Sequence, residues 1–148
     1  MGGGSGPPGG PASARRVATI IHAALTGAIF LYSGLYLFAV RGHGDAAAAD
    51  IAAAPIAIGV LTATSLAMVG ISLALRRGIQ PPAAQAELGS WWTGNLPKMM
   101  AVWGTAEACA LTALAIAYLF DLRWAALLPA ALAVVILFLT RPGVLAGK

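Results

Sequence analysis

The stretch MMAVWGTAEACALTALAIAYLF, residues Met99–Phe120, decides the fold of this 148-residue chain. A helix needs about 20 apolar residues to cross the ~30 Å hydrocarbon core of a bilayer, and this run is long enough. Its only charged residue, Glu107, lies near the middle. Because an ionisable group at the centre of a bilayer costs about 2.5–3.5 kcal/mol on insertion scales, Glu107 is the first candidate for a functional residue.

Composition extends the membrane prediction to the whole chain. Charged residues make up 9% of the sequence, against about 25% in an average soluble domain. The apolar residues form four runs, which predict an all-α membrane fold, a four-transmembrane-helix bundle over residues 15–148. We predict spans at residues 17–40, 52–75, 98–120 and 123–140, with a local kink or weakened backbone pairing at Pro129 in the last one. Residues 1–14 are Gly/Pro-rich and uncharged, which predicts a disordered tail.

Basic residues sort unevenly between the two ends of these spans. One side would hold Arg15, Arg16, Arg76, Arg77, Lys98, Arg141 and Lys148, and the other only Arg41 and Arg123. The positive-inside rule therefore predicts a bacterial-type cytoplasmic membrane with both termini in the cytoplasm. Since the basic residues flank spans and form no single patch, we predict no nucleic-acid partner.

The second predicted span carries a row of small residues at Gly59, Ala63 and Ala67, with Gly70 and Ala74 on a neighbouring row. Small residues four apart let two helices approach closely in lipid. The sequence therefore predicts a packing face on this span.

No residue pattern predicts an enzyme. The sequence contains no CxxC, HExxH or GxSxG arrangement and no glycine-rich phosphate loop. His43, Asp45 and Asp50 share a short polar connection, where such side chains are usually solvated, so we predict no metal. Cys109 is interpreted as an apolar filler. We predict no catalytic residue and no cofactor.

Glu107 lies nine residues beyond Lys98, about 13–14 Å into the bilayer at 1.5 Å per residue. A short carboxylate at that depth does not reach water, so a hydrogen-bonding partner on a neighbouring span is expected. The candidate partners are Ser65 and Thr62 on the second span and Thr26 and His22 on the first.

Two functions fit such a carboxyl. In the first, Glu107 binds and releases protons during ion transport. In the second, the protein is a non-catalytic accessory or structural subunit of a membrane complex, and Glu107 is a protonated packing residue. Either function predicts the lipid bilayer as a partner, together with other membrane subunits or self-association.

Part of the chain resembles the membrane proteolipid, the ring-forming c subunit, of rotary ATP synthases. The resemblance lies in the small-residue-rich Ile58–Leu75, the loop residues Arg77, Gln80 and Pro81, and Glu107 followed by an apolar run. It implies a helical hairpin in which Glu107 carries the proton. The sequence departs from the family in its reduced glycine repeat, an inserted Gly-Ser-Trp-Trp-Thr-Gly-Asn stretch and two flanking spans.

Overall fold

The computed structural model describes residues 11–42, 53–82, 88–120, 122 and 125–147. Every regular element within these ranges is a helix. The order is α1 (Pro11–Gly42), α2 (Ala53–Arg77), α3 (Leu88–Leu119), α4 (Leu127–Leu139) and α5 (Pro142–Leu145). The first three helices are long and apolar enough to cross a membrane, whereas α4 is a shorter apolar helix. The predicted all-helical fold is thus confirmed for the described residues, and three of the four predicted spans have the length and composition that a membrane crossing needs.

Helix α1 begins earlier than predicted. It starts at Pro11, so Pro11–Ala14 belong to the helix and not to the tail. Proline suits the first helical position because its missing N–H would be unpaired there anyway. Ala14 and Ala18 are buried, and this burial holds the added turn against the bundle. The rest of the predicted tail, the connection containing His43, Asp45 and Asp50, and the turn residues Asp121 and Arg123 lie outside the described residues.

Helix α3 also begins before its predicted start. It runs unbroken from Leu88 and contains Pro97, which the sequence placed at the start of the span. An internal proline removes one backbone hydrogen bond and usually kinks or ends a helix. Here the extra turns are anchored, because Trp92 is 4% exposed and packs in the same core as Met99. Burial of a large aromatic side chain has overridden the local signal of Pro97.

The fourth apolar segment is broken into two helices. Because α4 begins at Leu127, Pro129 falls in its first turn, where a missing N–H is harmless, so the predicted kink there is wrong. The break comes instead at Arg141, whose extended backbone (ψ 150°) precedes Pro142 at the start of α5. Leu145 and Ala146 are buried, so the chain after the break continues along the bundle.

Helix α3 lies at the centre and contacts α1, α2 and α4. It runs parallel to α1, since His22 meets Trp103 and Tyr36 donates to the Leu122 carbonyl. It runs antiparallel to α2, where the Ser72 hydroxyl donates to the Val102 carbonyl and the Cys109 thiol to the Ser65 carbonyl. Thr140, at the end of α4, lies at the level of Trp103, so α4 is antiparallel to α3 as well. The arrangement is up-down-up-down.

These directions bring most of the described cations to one end of the bundle, which we call the basic end. It is defined by Arg15, Arg16, Arg76, Arg77, Lys98 and Arg141. The end of the described chain returns there, since the position of a Cβ at Gly147 would lie 3.7 Å from the Pro81 Cβ atom. α4 alone is too short to reach the basic end, and α5 continues the chain to it.

The small-residue row of α2 faces outward. The sequence predicted a packing face here, but this row does not pack against the other described helices. Gly59, Ala63, Ala67, Gly70 and Ala74 are all exposed. A Cβ atom added at Gly59 or Gly70 would meet nothing within 4 Å. The opposite face of α2 contacts α3, through Leu61, Ser65 and Ser72 among others.

This geometry predicts that both ends of the described chain lie on the same side of the membrane. In a Cys109→Ala background, we expect Ala12→Cys and Gly143→Cys to react with a membrane-impermeant maleimide from one side only, and from the same side. Phe120→Cys, near the opposite end of the bundle, should react only from the other side. Labelling of the first two cysteines from opposite sides would show that α4 and α5 do not complete a crossing.

Candidate functional site

Glu107 lies at the edge of the buried face of α3. Four residues turn a helix through about 400°, so Glu107 points about 40° away from Trp103. Trp103 is fully buried, whereas Met100, on the other side of Glu107, is 44% exposed. The Glu107 side chain is accordingly half-buried. It is the only acidic residue within the described ranges.

The Glu107 carboxyl takes part in none of the hydrogen bonds or ion pairs among the described residues. In the same part of the chain, no side-chain oxygen or nitrogen atom of a buried or half-buried residue is enclosed without a partner. The carboxyl oxygens must therefore reach the outer surface of the bundle. In a helix that crosses a membrane, a surface at that depth would face lipid.

The hydroxyl groups predicted on α2 are not brought to Glu107. The Ser65 hydroxyl donates to the Leu61 carbonyl of its own helix over 2.7 Å. Ser65 meets α3 at Cys109, which points about 160° away from Glu107 around the helix. Thr62 is exposed on α2. Depth was a sound criterion for choosing Ser65, but it gives no information about which side of α3 each neighbouring helix occupies.

Thr26 on α1 lies at the depth of Glu107. The His22 and Trp103 rings are in contact, and α1 and α3 are parallel. Thr26 comes four positions after His22, and Glu107 comes four positions after Trp103. The Thr26 hydroxyl donates to the His22 carbonyl over 2.8 Å. The Thr26 hydroxyl oxygen also has lone pairs that can accept a hydrogen bond from a protonated carboxyl. Thr26 therefore remains a predicted partner of a protonated Glu107.

His22 faces the bundle, where it binds the broken fourth helix. Its Nε2 atom lies 2.8 Å from the Leu137 carbonyl oxygen in the last turn of α4. A carbonyl can only accept, so the ring hydrogen is on Nε2. The imidazole also meets Trp103 edge-on, with ring centroids 5.1 Å apart and planes at 77°.

Trp103 completes the attachment of α4, a role that was not among the sequence predictions. Its indole Nε1 donates to the Thr140 carbonyl over 2.9 Å, while the Thr140 hydroxyl donates to the Ile136 carbonyl over 2.7 Å. The last carbonyls of a helix have no partner within it. Side chains from α1 and α3 thus pair the carbonyls that the break leaves free. The Thr140-Arg141-Pro142 sequence was the available signal, since the residue before a proline seldom continues a helix.

We call His22, Trp103, Leu137 and Thr140 the break cluster. Glu107 lies one turn, about 6 Å, further from the basic end along α3. The two features contrast chemically, because the hydrogen bonds of the break cluster are made, whereas the carboxyl of Glu107 is unpaired. Such a carboxyl can hold a proton in lipid and give it up where water or a cation is near.

The described residues contain no group of three or more His, Cys, Asp or Glu side chains placed to hold a metal ion. No protein-family model, curated protein or solved structure matches the chain. Its function has to be inferred from its own residues.

The break cluster predicts that His22 and Trp103 stabilise the fold. His22→Phe and Trp103→Phe each keep an aromatic ring but leave one α4 carbonyl without its donor. An unpaired buried polar group costs about 1–3 kcal/mol, and Trp103→Phe adds a cavity. We expect both variants to lower the free energy of unfolding by that amount or more, as measured in detergent micelles.

Thr19→Val is the matched control, because the exposed Thr19 hydroxyl bonds only to Arg15 of its own helix. It should change the free energy of unfolding by less than about 0.5 kcal/mol. If His22→Phe were as stable as Thr19→Val, the bond from His22 to α4 would contribute nothing.

Proposed function

We propose that this chain is a membrane transport protein in which the Glu107 carboxyl binds and releases a proton. The supporting observation is that this carboxyl, the only acidic group in the described ranges, is half-buried at mid-depth without a hydrogen-bonding partner. A carboxyl that served only packing would be expected to bond to a neighbouring helix, because an unpaired polar group in hydrocarbon is costly.

The proton chemistry follows from the solvent around Glu107. In lipid the neutral acid is favoured, since a charged group at the bilayer centre costs about 2.5–3.5 kcal/mol. Release of the proton needs water or a cation close to the carboxylate. No lysine or arginine among the described residues lies near this depth, since Lys98, the basic residue of α3, is nine residues away, about 13–14 Å along the helix. We therefore propose that a hydrated crevice or a neighbouring subunit completes the release site.

The proposed setting is a bacterial-type cytoplasmic membrane with the basic end, and hence both termini, in the cytoplasm. The excess of Arg and Lys at that end supports this orientation. The proposed role is transport, with no catalysis and no cofactor. The resemblance to the rotary proteolipid supports a proton-carrying Glu107 more than it supports membership of a rotor ring.

Glu107→Gln tests the proposal directly. Glutamine keeps the shape and a hydrogen-bonding amide but cannot titrate, so we expect proton flux to be lost while folding and insertion are retained. Full-length protein in vesicles that contain a pH-sensitive dye, driven by a potassium diffusion potential, gives the flux. Glu107→Asp keeps a titratable group and should retain part of it.

Thr112→Val is the matched control, because Thr112 is half-buried on the same helix and its hydroxyl carries no titratable proton. It should leave the flux unchanged. Full flux through Glu107→Gln, with helical content equal to that of the unmodified protein, would contradict the proposal.

The second candidate function is that of a non-catalytic subunit in a larger membrane assembly. One observation favours it, namely the outward row of small residues on α2, which no other described helix covers. In lipid such a surface gains by packing against another helix, because small side chains allow close backbone contact. A second copy of this chain or another membrane subunit would supply that helix.

Large residues in this row should prevent association without harming the monomer. Ala67→Leu and Gly70→Leu add side chains where the bundle leaves open space, so we expect the mass of the detergent-extracted particle to fall to that of one chain. Ala24→Leu, at an exposed alanine of α1, is the control and should leave the mass unchanged. An unchanged mass in all three variants would show that the row is a lipid-facing surface.

A further inference from the structure

The corner between α2 and α3 concentrates positive charge. The Lys98 Nζ atom lies 3.4 Å from the Gly78 carbonyl oxygen, and Gly78 directly follows Arg77. Arg77 and Lys98 are both exposed, and Arg76 is half-buried beside them. The carbonyls at the C-terminus of α2 attract these cations through the helix dipole. That attraction explains their position, but it amounts to only about half a unit of negative charge.

The described part of the chain does not neutralise this corner. Its only carboxylate, Glu107, lies nine residues beyond Lys98, about 13–14 Å deeper. The carbonyl of Gly78 takes one of the three N–H donors of the Lys98 ammonium, so the other donors are available. The guanidinium of Arg77, with its planar fork of donors, suits a phosphate group particularly well.

Trp91 fixes the depth of the corner at the membrane interface. Its indole Nε1 donates to the Gln80 carbonyl over 2.6 Å, and its ring packs edge-on against Trp92 at 4.9 Å. Tryptophan favours the level of the lipid headgroups, where its apolar ring and its N–H are both accommodated. The two hydrogen bonds from α3, Trp91 to Gln80 and Lys98 to Gly78, hold the corner in one arrangement.

An apolar surface continues from the corner toward the bilayer centre. Leu73 on α2 is 46% exposed and lies one turn before Arg77 on nearly the same helix face, and the exposed Ala101 lies one turn beyond Lys98 on the face of that lysine. Positive groups at headgroup level above exposed apolar side chains match the two parts of a phospholipid. A free phosphate ion would gain nothing from the apolar part.

We propose that the α2–α3 corner is a binding site for one anionic phospholipid, whose phosphate lies between the Arg77 guanidinium and the Lys98 ammonium while its acyl chains cover Leu73 and Ala101. A zwitterionic lipid is disfavoured, because its quaternary ammonium would add a positive charge next to two others. This site is independent of Glu107 and of any transport activity.

The test uses full-length protein in detergent, titrated with dioleoylphosphatidylglycerol or dioleoylphosphatidylcholine, with bound lipid counted by native mass spectrometry. We expect the unmodified protein to retain the anionic lipid in preference. The double variant Arg77→Gln/Lys98→Gln should lose this preference by about tenfold or more, since each basic residue near a lipid headgroup contributes roughly a several-fold gain in affinity.

The matched control is Arg15→Gln/Arg16→Gln, which removes two exposed charges from the same end of the bundle but not from the corner. It should keep at least half of the preference. Equal losses in the two double variants would overturn the site, because diffuse attraction to the basic end would explain both. Absence of any preference in the unmodified protein, or displacement of the lipid by inorganic phosphate at equal ionic strength, would overturn it as well.

Discussion

Inside a bilayer every backbone N–H and C=O group has to find its partner within the protein, because lipid tails offer none. Continuous helices meet this requirement in α1, α2 and α3. The fourth apolar segment does not, since Pro142 ends α4 after 13 residues and leaves its last carbonyls free. The fold depends on how those carbonyls are paired: His22 and Trp103 reach them from two different helices. The broken helix is therefore held in place by polar contacts as well as by apolar packing.

Glu107 stands out against this background. His22 and Trp103, one helical turn away, both donate to backbone carbonyls. The Glu107 carboxyl, by contrast, has no hydrogen-bonding partner among the described residues. Its position at the edge of the buried face keeps its oxygens at the surface, where a proton can be exchanged only with something outside this chain or with water that enters beside it. Proton transfer at Glu107 would therefore need either water beside the carboxyl or a neighbouring subunit at that depth.

The sequence predicted those features that depend on hydrophobic length and on the distribution of charge. The three long helices and the depth shared by Thr26 and Glu107 followed from counting residues, which works because rise per residue is constant. Prediction from the sequence failed where contacts between helices determine the structure. Burial of Trp92 carries α3 back through Pro97 to Leu88, and no local signal near Pro97 reports that burial. The orientation of α2, which turns Ser65 toward Cys109 and its small residues outward, depends on packing against α3 that periodicity alone leaves undetermined.

The position of the small residues on α2 bears on how such a bundle meets its neighbours. In lipid, helices gain little from burying leucine, since lipid tails are equally apolar, but they gain from close backbone contact. The interface with α3 uses Leu61, Ser65 and Ser72 together with the buried face of α3, whereas Gly59 and Gly70 have nothing near them. The surface of α2 that would pack most closely is thus the one that the bundle leaves open. The contacts that α2 makes within the chain do not explain why these residues are small. Close packing against a further helix would explain it.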